Sequence, residues 1–320
     1  MKQDFYFPSA DGRTTIHASE WIPEGSVRAV LQISHGMVEY IGRYDRFAQY
    51  LNEHGFYVVG NDHLGHGESV VSDEKLGYFK DPDGNECVIA DLHRLRQITE
   101  EKYPGVPYFM LGHSMGSFLI RQYMMLHGAG LAGVIVMGTG CQPGLVLKAG
   151  KAVCRGIAAV RGWQHRSQLV NIMAFASNNQ KFRPARTHMD WLTKDTEIVD
   201  AYLKNPWCTY TFTLNGFYQM FRGIQFVQDP VHIAEIPKDL PLLVVSGADD
   251  PVGNFGKGVR AVYDGLLTAG VKDVEMVLYD EDRHEILNET DYEMVYGDLH
   301  VWLEKKMAEA GNGHGSDQIA

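Results

Sequence analysis

The sequence has few cysteines, and their spacing indicates neither a disulfide scaffold nor a metal site. Its 320 residues include four cysteines, none of which forms a Cys-x-x-Cys pair. We therefore expect free thiols in a reducing compartment, with the cytoplasm as the simplest location. No apolar run approaches the roughly 18 residues that a transmembrane helix needs. The first residues also lack the apolar stretch and small-residue cleavage site of a secretory signal.

The sequence also lacks the excess of positive charge that nucleic-acid binding requires. Its formal net charge is −11, and it contains no glycine-rich phosphate loop and no dinucleotide-binding fingerprint. We therefore expect no nucleic-acid partner and no cofactor. The charge is unevenly spread, because residues 141–189 contain eight basic residues and no acidic residue. The net charge of −11 thus leaves −19 for the rest of the chain.

Segments typical of strands alternate with helical segments in both terminal parts of the chain. Apolar residues recur at helical spacing in 43–54, 85–102, 115–127, 256–269 and 291–308, and apolar strand-like runs lie between these segments. This alternation predicts an α/β fold with a mostly parallel central sheet of about eight strands and helices on both faces.

The alternation lapses after Gly140 for about a hundred residues that are helical and loop-like in pattern and rich in large aromatic side chains. We interpret this part as a helical lid inserted into the sheet domain. The expected organisation is an α/β core of residues 1–141 and 239–309, a lid of residues 142–238 and a flexible tail of residues 310–320.

One pentapeptide, Gly-His-Ser-Met-Gly, stands where a strand-like run changes into a helix-like run. Its serine is Ser114, and Gly112 and Gly116 lie two residues to either side. This pattern is typical of a nucleophilic serine on a sharp strand-to-helix turn, where the glycines avoid collisions with neighbouring backbone. The helix N-terminus after the serine can stabilise negative charge. Ser114 is therefore our candidate nucleophile.

A serine nucleophile needs a general base and a carboxylate that orients the base. In this architecture they follow late strands in the order Ser, Asp or Glu, His. The run "PLLVVSG" precedes Asp249 and Asp250, and the run "VEMVLYD" precedes His284. We assign Asp250 as the orienting acid and His284 as the base, with Asp249 as a solvated neighbour.

Acyl transfer also requires hydrogen-bond donors for the oxyanion of the tetrahedral intermediate. The loop after "VLQIS" carries His35, Gly36 and Met37, and the glycine allows the backbone to approach a substrate. We expect the backbone N–H groups of Met37 and Met115 to form the oxyanion hole. The alternative is that His35 and Gly36 only end a strand.

Three further motifs resemble the monoacylglycerol lipase and lysophospholipase branch of the serine α/β-hydrolases. They are His-Gly-x-x-Glu at 35–39, Gly-Arg-Tyr at 42–44 and Asp-x-x-Gly-His-Gly-x-Ser at 62–69. The segment "WLTKDTEIVDAYLKNPWC" is also similar to the lid of that branch. The resemblance implies an α/β-hydrolase fold, the triad of Ser114, Asp250 and His284, and oxyanion donors at Met37 and Met115. This sequence departs from the pattern of that branch at Tyr40, where relatives often have histidine.

Two histidines in the glycine-rich loop, His63 and His66, suggest a metal site at first sight. No third ligand with matching spacing accompanies them, and a serine mechanism needs no metal. We expect these histidines and Asp62 to form a structural network, and we expect no metal.

The aromatic, apolar lid favours an acyl-chain substrate, because each buried CH₂ contributes about 0.8 kcal/mol. We therefore expect a serine hydrolase that cleaves esters of acyl lipids, either monoacylglycerol or lysophospholipid. The basic lid segment, residues 141–189, favours peripheral contact with an anionic membrane, or alternatively ion pairing with the acidic core.

Two other functions remain open from the residues alone. The same scaffold serves small-ester carboxylesterases and serine aminopeptidases, and a triad is compatible with both. A non-catalytic ligand receptor is the remote alternative. Dehalogenases and epoxide hydrolases are disfavoured because they need a carboxylate at the position of Ser114.

Overall fold

The computed structural model describes the backbone of residues 1–313 and the side chains of residues 1–309. Eight strands within this part form one sheet. The strands are β1 (Lys2–Pro8), β2 (Thr15–Trp21), β3 (Ala29–Ser34), β4 (Phe56–Asn61), β5 (Tyr108–His113), β6 (Gly133–Met137), β7 (Leu242–Gly247) and β8 (Val274–Tyr279).

The strand order across the sheet is β1-β2-β4-β3-β5-β6-β7-β8. β2 pairs antiparallel with both of its neighbours, and the remaining pairs are parallel. The carboxyl ends of the parallel strands therefore meet at one edge, which is where open α/β sheets place their functional residues. The predicted mostly parallel sheet of about eight strands is confirmed.

Ten α-helices accompany the strands within residues 1–313. They are α1 (Asp45–Glu53), α2 (Gly84–Lys102), α3 (Met115–His127), α4 (Gly144–Arg161), α5 (Gln168–Phe175), α6 (Thr196–Lys204), α7 (Leu214–Val227), α8 (Pro230–Ile233), α9 (Lys257–Thr268) and α10 (Tyr292–Gly313). The last helix extends four residues into the segment that we expected to be a tail, and residues 314–320 lie outside the described part.

The helices cover both faces of the sheet. Successive residues of each strand point to opposite faces, so that Val30 and Met110 join one apolar cluster while Leu31 and Leu111 join another. The first cluster is completed by α2, α3, α7 and α9, and the second by α1 and α10. This three-layer packing buries β3 to β7 completely and makes the sheet a rigid base for the loops at its edge.

Helices α4 to α8 lie between β6 and β7, in the part of the chain where the alternation lapses. We call residues 142–238 the insertion. Its first residue is joined to the end of α7, because Gln142 N–H donates to the Gln228 side chain at 2.7 Å and the Gln228 amide donates back to Gln142 O at 2.8 Å. The buried Arg121 guanidinium of α3 also donates to Gly140 O and Val227 O, both at 3.1 Å. The base of the insertion is thus held to the core.

No helix in the described part of the chain combines the length and the apolar character that a bilayer crossing demands.

Candidate active site

Ser114 occupies the turn between β5 and α3 in a strained backbone conformation. Its φ of 54° and ψ of −120° lie where residues with a side chain are seldom found. Ser114 N–H donates to Met137 O at 3.0 Å, and Ser114 O accepts from both the N–H and the hydroxyl of Ser117. These bonds fix the turn, and they leave the hydroxyl of this half-buried serine without a bond in the described residues.

The two flanking glycines make this turn possible. A Cβ on Gly116 would lie 2.0 Å from Ser34 O, and a Cβ on Gly112 would lie 2.3 Å from Gly116 O. Both distances are far below van der Waals contact, and both neighbours are backbone atoms that cannot move aside. The glycines therefore let α3 start directly against the ends of β3 and β5.

Asp250 and His284 come together at the ends of β7 and β8. The Nδ1 atom of His284 lies 3.0 Å from Oδ1 of Asp250, and both side chains are almost fully buried. Asp250 Oδ2 accepts from the Ser246 hydroxyl at 2.9 Å, and Oδ1 accepts from Val252 N–H at 2.8 Å. The carboxylate is therefore oriented on both oxygens.

Electrostatics keep Asp250 ionised. Burial would raise the pKa of this carboxyl, but the charge and hydrogen bond of His284, with the Ser246 and Val252 bonds, lower the pKa below its usual value. Asp249 differs, because it is partly exposed and pairs with Lys181 of the insertion. The two adjacent aspartates thus occupy separate environments, and only Asp250 contacts the histidine.

The end of β6 brings Ser114 close to His284. Met137 accepts the Ser114 N–H bond, and a Cβ on the next residue, Gly138, would lie 3.2 Å from Cε1 of His284. The serine, the histidine and the aspartate therefore share one edge of the sheet, although they are distant in the sequence.

The two predicted oxyanion donors flank the serine. Within the described residues, the N–H groups of Met37 and Met115 donate to no protein acceptor. Met115 is the first residue of α3, where the helix dipole favours an anion. The Met37 loop lies near the serine, since a Cβ on the preceding Gly36 would be 3.1 Å from the Ser114 Cβ. In the described residues both amides thus lack a protein acceptor, and the residues that carry them lie near Ser114.

A buried charge network lies behind these groups. Arg43 donates to Glu39 at 2.7 Å and makes a two-bond pair with Glu285 at 2.8 and 2.6 Å. Glu39 also accepts from Gly36 N–H and from the Tyr44 hydroxyl. The network therefore links the loop of residues 35–37, which we call the oxyanion loop after its predicted role, to the residue that follows His284.

His113 extends this network to the nucleophile turn. Its Nδ1 lies 3.3 Å from Glu39 Oε1, and its Nε2 lies 3.1 Å from the carbonyl oxygen of His284. Burial would lower the pKa of His113, but the hydrogen bond and charge of Glu39 raise it above the usual histidine value. Sequence reasoning missed His113 and Glu285, although their positions next to Ser114 and His284 were a usable signal.

The histidines of the glycine-rich loop form a second buried network. The backbone N–H of His63 donates to His35 Nε2 at 2.9 Å. The Asp62 carboxylate accepts from His17 and from two backbone N–H groups at 2.8 and 2.9 Å. Burial is the main cause that lowers the pKa of His66 to about 3, so this imidazole is neutral at physiological pH. In residues 1–309, no three His, Cys, Asp or Glu side chains are grouped so as to hold a metal ion.

Comparison with known proteins gives the same architecture. The family model for the serine aminopeptidases of family S33 (Hydrolase_4) matches residues 25–291. A monoacylglycerol lipase from Mycolicibacterium smegmatis is 26% identical over 290 residues, which cover 88% of this chain and 90% of that protein.

Two solved structures are similar over almost the whole chain. A thermostable carboxyl esterase from Bacillus coagulans, in complex with glycerol, has a TM-score of 0.89 at 29% identity, covering 96% of this chain and 99% of its own. A lipase in an open form has a TM-score of 0.87 at 26% identity with the same coverage. With its family match over most of the sequence, the chain is an α/β-hydrolase and belongs to the serine aminopeptidase S33 family.

Proposed function

We propose that this enzyme is a serine hydrolase that cleaves carboxylic esters of acyl lipids, monoacylglycerol or lysophospholipid, through an acyl-enzyme on Ser114. The observation that carries the proposal is the juxtaposition at one sheet edge of a serine on a strained turn and a buried Asp250–His284 pair. A hydroxyl beside such a pair is the arrangement that activates serine for attack on an acyl carbonyl.

The proposed cycle has two half-reactions. Asp250 holds Nδ1 of His284, so Nε2 accepts the Ser114 proton while the hydroxyl oxygen attacks the ester carbonyl. The N–H groups of Met37 and Met115 stabilise the oxyanion. The imidazolium then returns the proton to the departing alcohol. Water, deprotonated by His284, attacks the acyl-enzyme; the bond from the acyl carbon to Ser114 Oγ then breaks, the imidazolium donates the proton to Oγ, and the fatty acid is released.

The acyl-lipid substrate is supported by the residues around the site and by the relatives. The insertion contributes Phe175, Phe182 and Met189, which are all partly exposed, to an apolar cluster that includes Val252, two residues beyond Asp250. Such a surface favours acyl chains, at about 0.8 kcal/mol for each buried CH₂. One relative is a monoacylglycerol lipase, and one similar structure is an esterase in complex with glycerol, the alcohol that a monoacylglycerol would release.

Substitutions of Ser114 and Asp250 test the proposal. Ser114→Ala should abolish ester turnover and labelling by a fluorophosphonate, with an unchanged circular dichroism spectrum. Asp250→Asn should lower kcat by about three to four orders of magnitude, because the histidine loses its orienting charge. The neighbouring Asp249→Asn is the matched control and should stay within a few-fold of wild type. Labelling that persists in Ser114→Ala would refute the mechanism.

A small-ester carboxylesterase or a serine aminopeptidase is the second candidate. The family name and the carboxyl esterase neighbour favour it. A panel of p-nitrophenyl esters of increasing chain length, monoacylglycerols, lysophospholipids and aminoacyl amides separates the candidates. Preference for long acyl chains supports the lipid assignment, whereas preference for acetate esters or amides contradicts it. Absence of fluorophosphonate labelling of wild type would instead favour a ligand receptor.

We further propose that the insertion is a lid whose outer surface contacts anionic membranes. Six large apolar side chains of α4 and α5 are mostly exposed: Leu145, Val146, Val160, Leu169, Ile172 and Met173. Lys148, Arg155 and Arg161 are exposed on the same segment. Apolar side chains interspersed with cations are typical of surfaces that lie in a lipid interface.

The ion pairs argue against the alternative, in which the basic segment neutralises the core. Of its eight cations, one forms an ion pair with a carboxylate of the core within residues 1–309, namely Lys181 with Asp249. Arg186 pairs with Asp200, which itself belongs to the insertion. Most of the positive charge is therefore available to an external partner.

Vesicle co-sedimentation tests the membrane contact. Binding should be several-fold stronger to vesicles with phosphatidylserine than to phosphatidylcholine alone, since each cation near the surface contributes about 1 kcal/mol. Val146→Ser combined with Leu169→Ser should weaken binding, whereas Val301→Ser, an exposed apolar position on α10, should not. Binding that ignores both lipid charge and the double substitution contradicts the proposal.

A further inference from the structure

One stretch of the insertion is bonded to the loop that carries His284. We call residues 187–195 the strap, and they lie between α5 and α6. Glu285 N–H donates to Leu192 O at 2.7 Å, directly after the histidine. The Thr193 hydroxyl donates to Asn288 O at 2.9 Å. The strap thus contacts the histidine loop, residues 280–289, through backbone as well as side chains.

Charged groups reinforce this attachment. The carboxylate of Glu289 lies 2.9 Å from the Thr193 hydroxyl, which it shares as a donor with Asn288 O, and it accepts from Lys194 N–H at 2.9 Å and from Arg283 N–H at 2.8 Å. The Lys194 ammonium lies 2.7 Å from the fully buried Asp282 carboxylate. The Arg283 guanidinium donates to carbonyl oxygens of the strap. Residues on both sides of His284 are therefore bonded to the strap.

Trp191, at the centre of the strap, packs against the catalytic imidazole. The ring centroids of Trp191 and His284 are 5.1 Å apart with an interplanar angle of 39°, and Trp191 is 7% exposed. Asp250 contacts Nδ1 of this imidazole, and the His113 ring packs on it with ring centroids 4.7 Å apart. The indole packs on the imidazole from the side of the insertion and restricts its rotation, which favours one orientation of the second nitrogen.

The outer helices of the insertion have no comparable role. Among the described residues, α4 and α5 make no hydrogen bond to the histidine loop, to the Asp250 loop or to the oxyanion loop. Helix α4 instead packs along α7, with Trp163 beyond its end lying 5.1 Å from the ring of Tyr218. Phe182, just before the strap, stacks on Arg283 at 4.2 Å, but in the described residues the hydrogen bonds from the insertion to the histidine loop all come from the strap.

We propose that the strap is a built-in positioning element for His284, and that Trp191 is its positioning residue. The inference rests on the proposed serine hydrolase function. Residues 187–195 would thus serve the active site by positioning His284, although they belong to the insertion in the sequence. Any rearrangement that exposes the site would then leave the strap on the histidine loop.

Steady-state kinetics of full-length variants test this role on p-nitrophenyl esters of two chain lengths. Trp191→Ala should lower kcat by about 10- to 100-fold, by the same factor for both esters and with KM within about threefold, since small displacements of a catalytic group have effects of this size. Trp191→Phe keeps a ring against the imidazole and should restore kcat to within about threefold of wild type. Trp163→Ala is the matched control on the insertion and should leave kcat unchanged.

A second variant keeps the test decisive if Trp191→Ala does not fold. Glu289→Gln removes the charge that joins strap and histidine loop and should lower kcat about tenfold with Trp191 intact. Unchanged kcat in Glu289→Gln or Trp191→Ala overturns the inference, and so does a KM rise that grows with chain length, which would make Trp191 an acyl-binding residue. Wild-type turnover and its loss in Ser114→Ala report on the proposed function separately.

Discussion

Ser114 holds a backbone conformation that the surrounding residues impose on it. The strain is sustained by the close contact between Gly116 and the end of β3, and by the bond from Ser114 N–H to Met137 O. A side chain at position 116 would have to push the start of α3 away from the end of β3, because the atoms it meets are carbonyl oxygens of Ser34 and His35. Glycine at this position is therefore a condition of the geometry.

We expect Gly116→Ala to remove most ester turnover and to lower the free energy of unfolding by about 1–3 kcal/mol or more, since overpacking displaces backbone. Gly156→Ala is the matched control, because a Cβ at this position on α4 meets no atom within 4 Å. Alanine is the better helix former, so the control should gain up to about 1 kcal/mol. Urea unfolding and fluorophosphonate labelling measure both effects. Equal stabilities of the two variants would contradict the expectation.

The residues of the candidate site differ in how visible they are in the sequence. Ser114, Asp250 and His284 follow motifs and strand ends, so local pattern and chain order suffice to nominate them. His113, Glu285 and Trp191 act through contacts between distant segments; the Arg43–Glu285 pair joins residues 242 apart. Such contacts depend on strand order and on the path of the insertion, which no local pattern encodes.

The helices and strands of the sheet domain were predictable because the apolar residues of each follow one pattern of spacing. Helix α3 begins at Met115 and ends at His127, the bounds that the apolar spacing predicts. The insertion gave no comparable bounds, because its apolar residues serve two surfaces. Some pack on α7 and some face outward, as Leu145 does with 81% exposure. Helix and loop therefore have similar compositions there.

Helix α2 is tied to the turn between β1 and β2 by a buried carboxylate. Asp91 accepts from the Ser9 hydroxyl and from Ala10 N–H, both at 2.7 Å. Burial is the main cause that raises the pKa of Asp91 to about 7, and the two hydrogen bonds only partly oppose it. The folded protein thus binds a proton that the unfolded chain, with a usual aspartate pKa near 3.8, releases.

We therefore expect Asp91→Asn to change how stability depends on pH. Between pH 4 and pH 7 the folded state holds the extra proton, so Asp91 makes the free energy of unfolding fall by up to about 1.4 kcal/mol per pH unit as pH rises. Asparagine does not ionise, and it can accept from Ala10 N–H through Oδ1 while its Nδ2 donates to the Ser9 hydroxyl oxygen, so it should remove this contribution. Urea unfolding at pH 4 and pH 8 should give similar stabilities at pH 4 and a more stable variant at pH 8. Parallel pH profiles would contradict the raised pKa.

At the scale of the whole molecule, charge is segregated between sheet domain and insertion. The sequence alone reveals this segregation, since one segment has eight cations and no acid. It does not reveal whether the two parts neutralise each other, because that depends on which way the side chains point. In the structure Lys181 reaches the core aspartate Asp249, whereas Lys148 and Arg161 are exposed.

The reciprocal bonds between Gln142 and Gln228 carry a consequence for how such enzymes diversify. They hold Gln142 and Gln228 together although many residues of the insertion separate them. At the sheet, the connection between the neighbouring strands β6 and β7 therefore resembles an ordinary crossover. The outer helices α4 and α5 can then vary in sequence without disturbing strand order. The strap, which is bonded to the histidine loop, is expected to be retained with the catalytic residues.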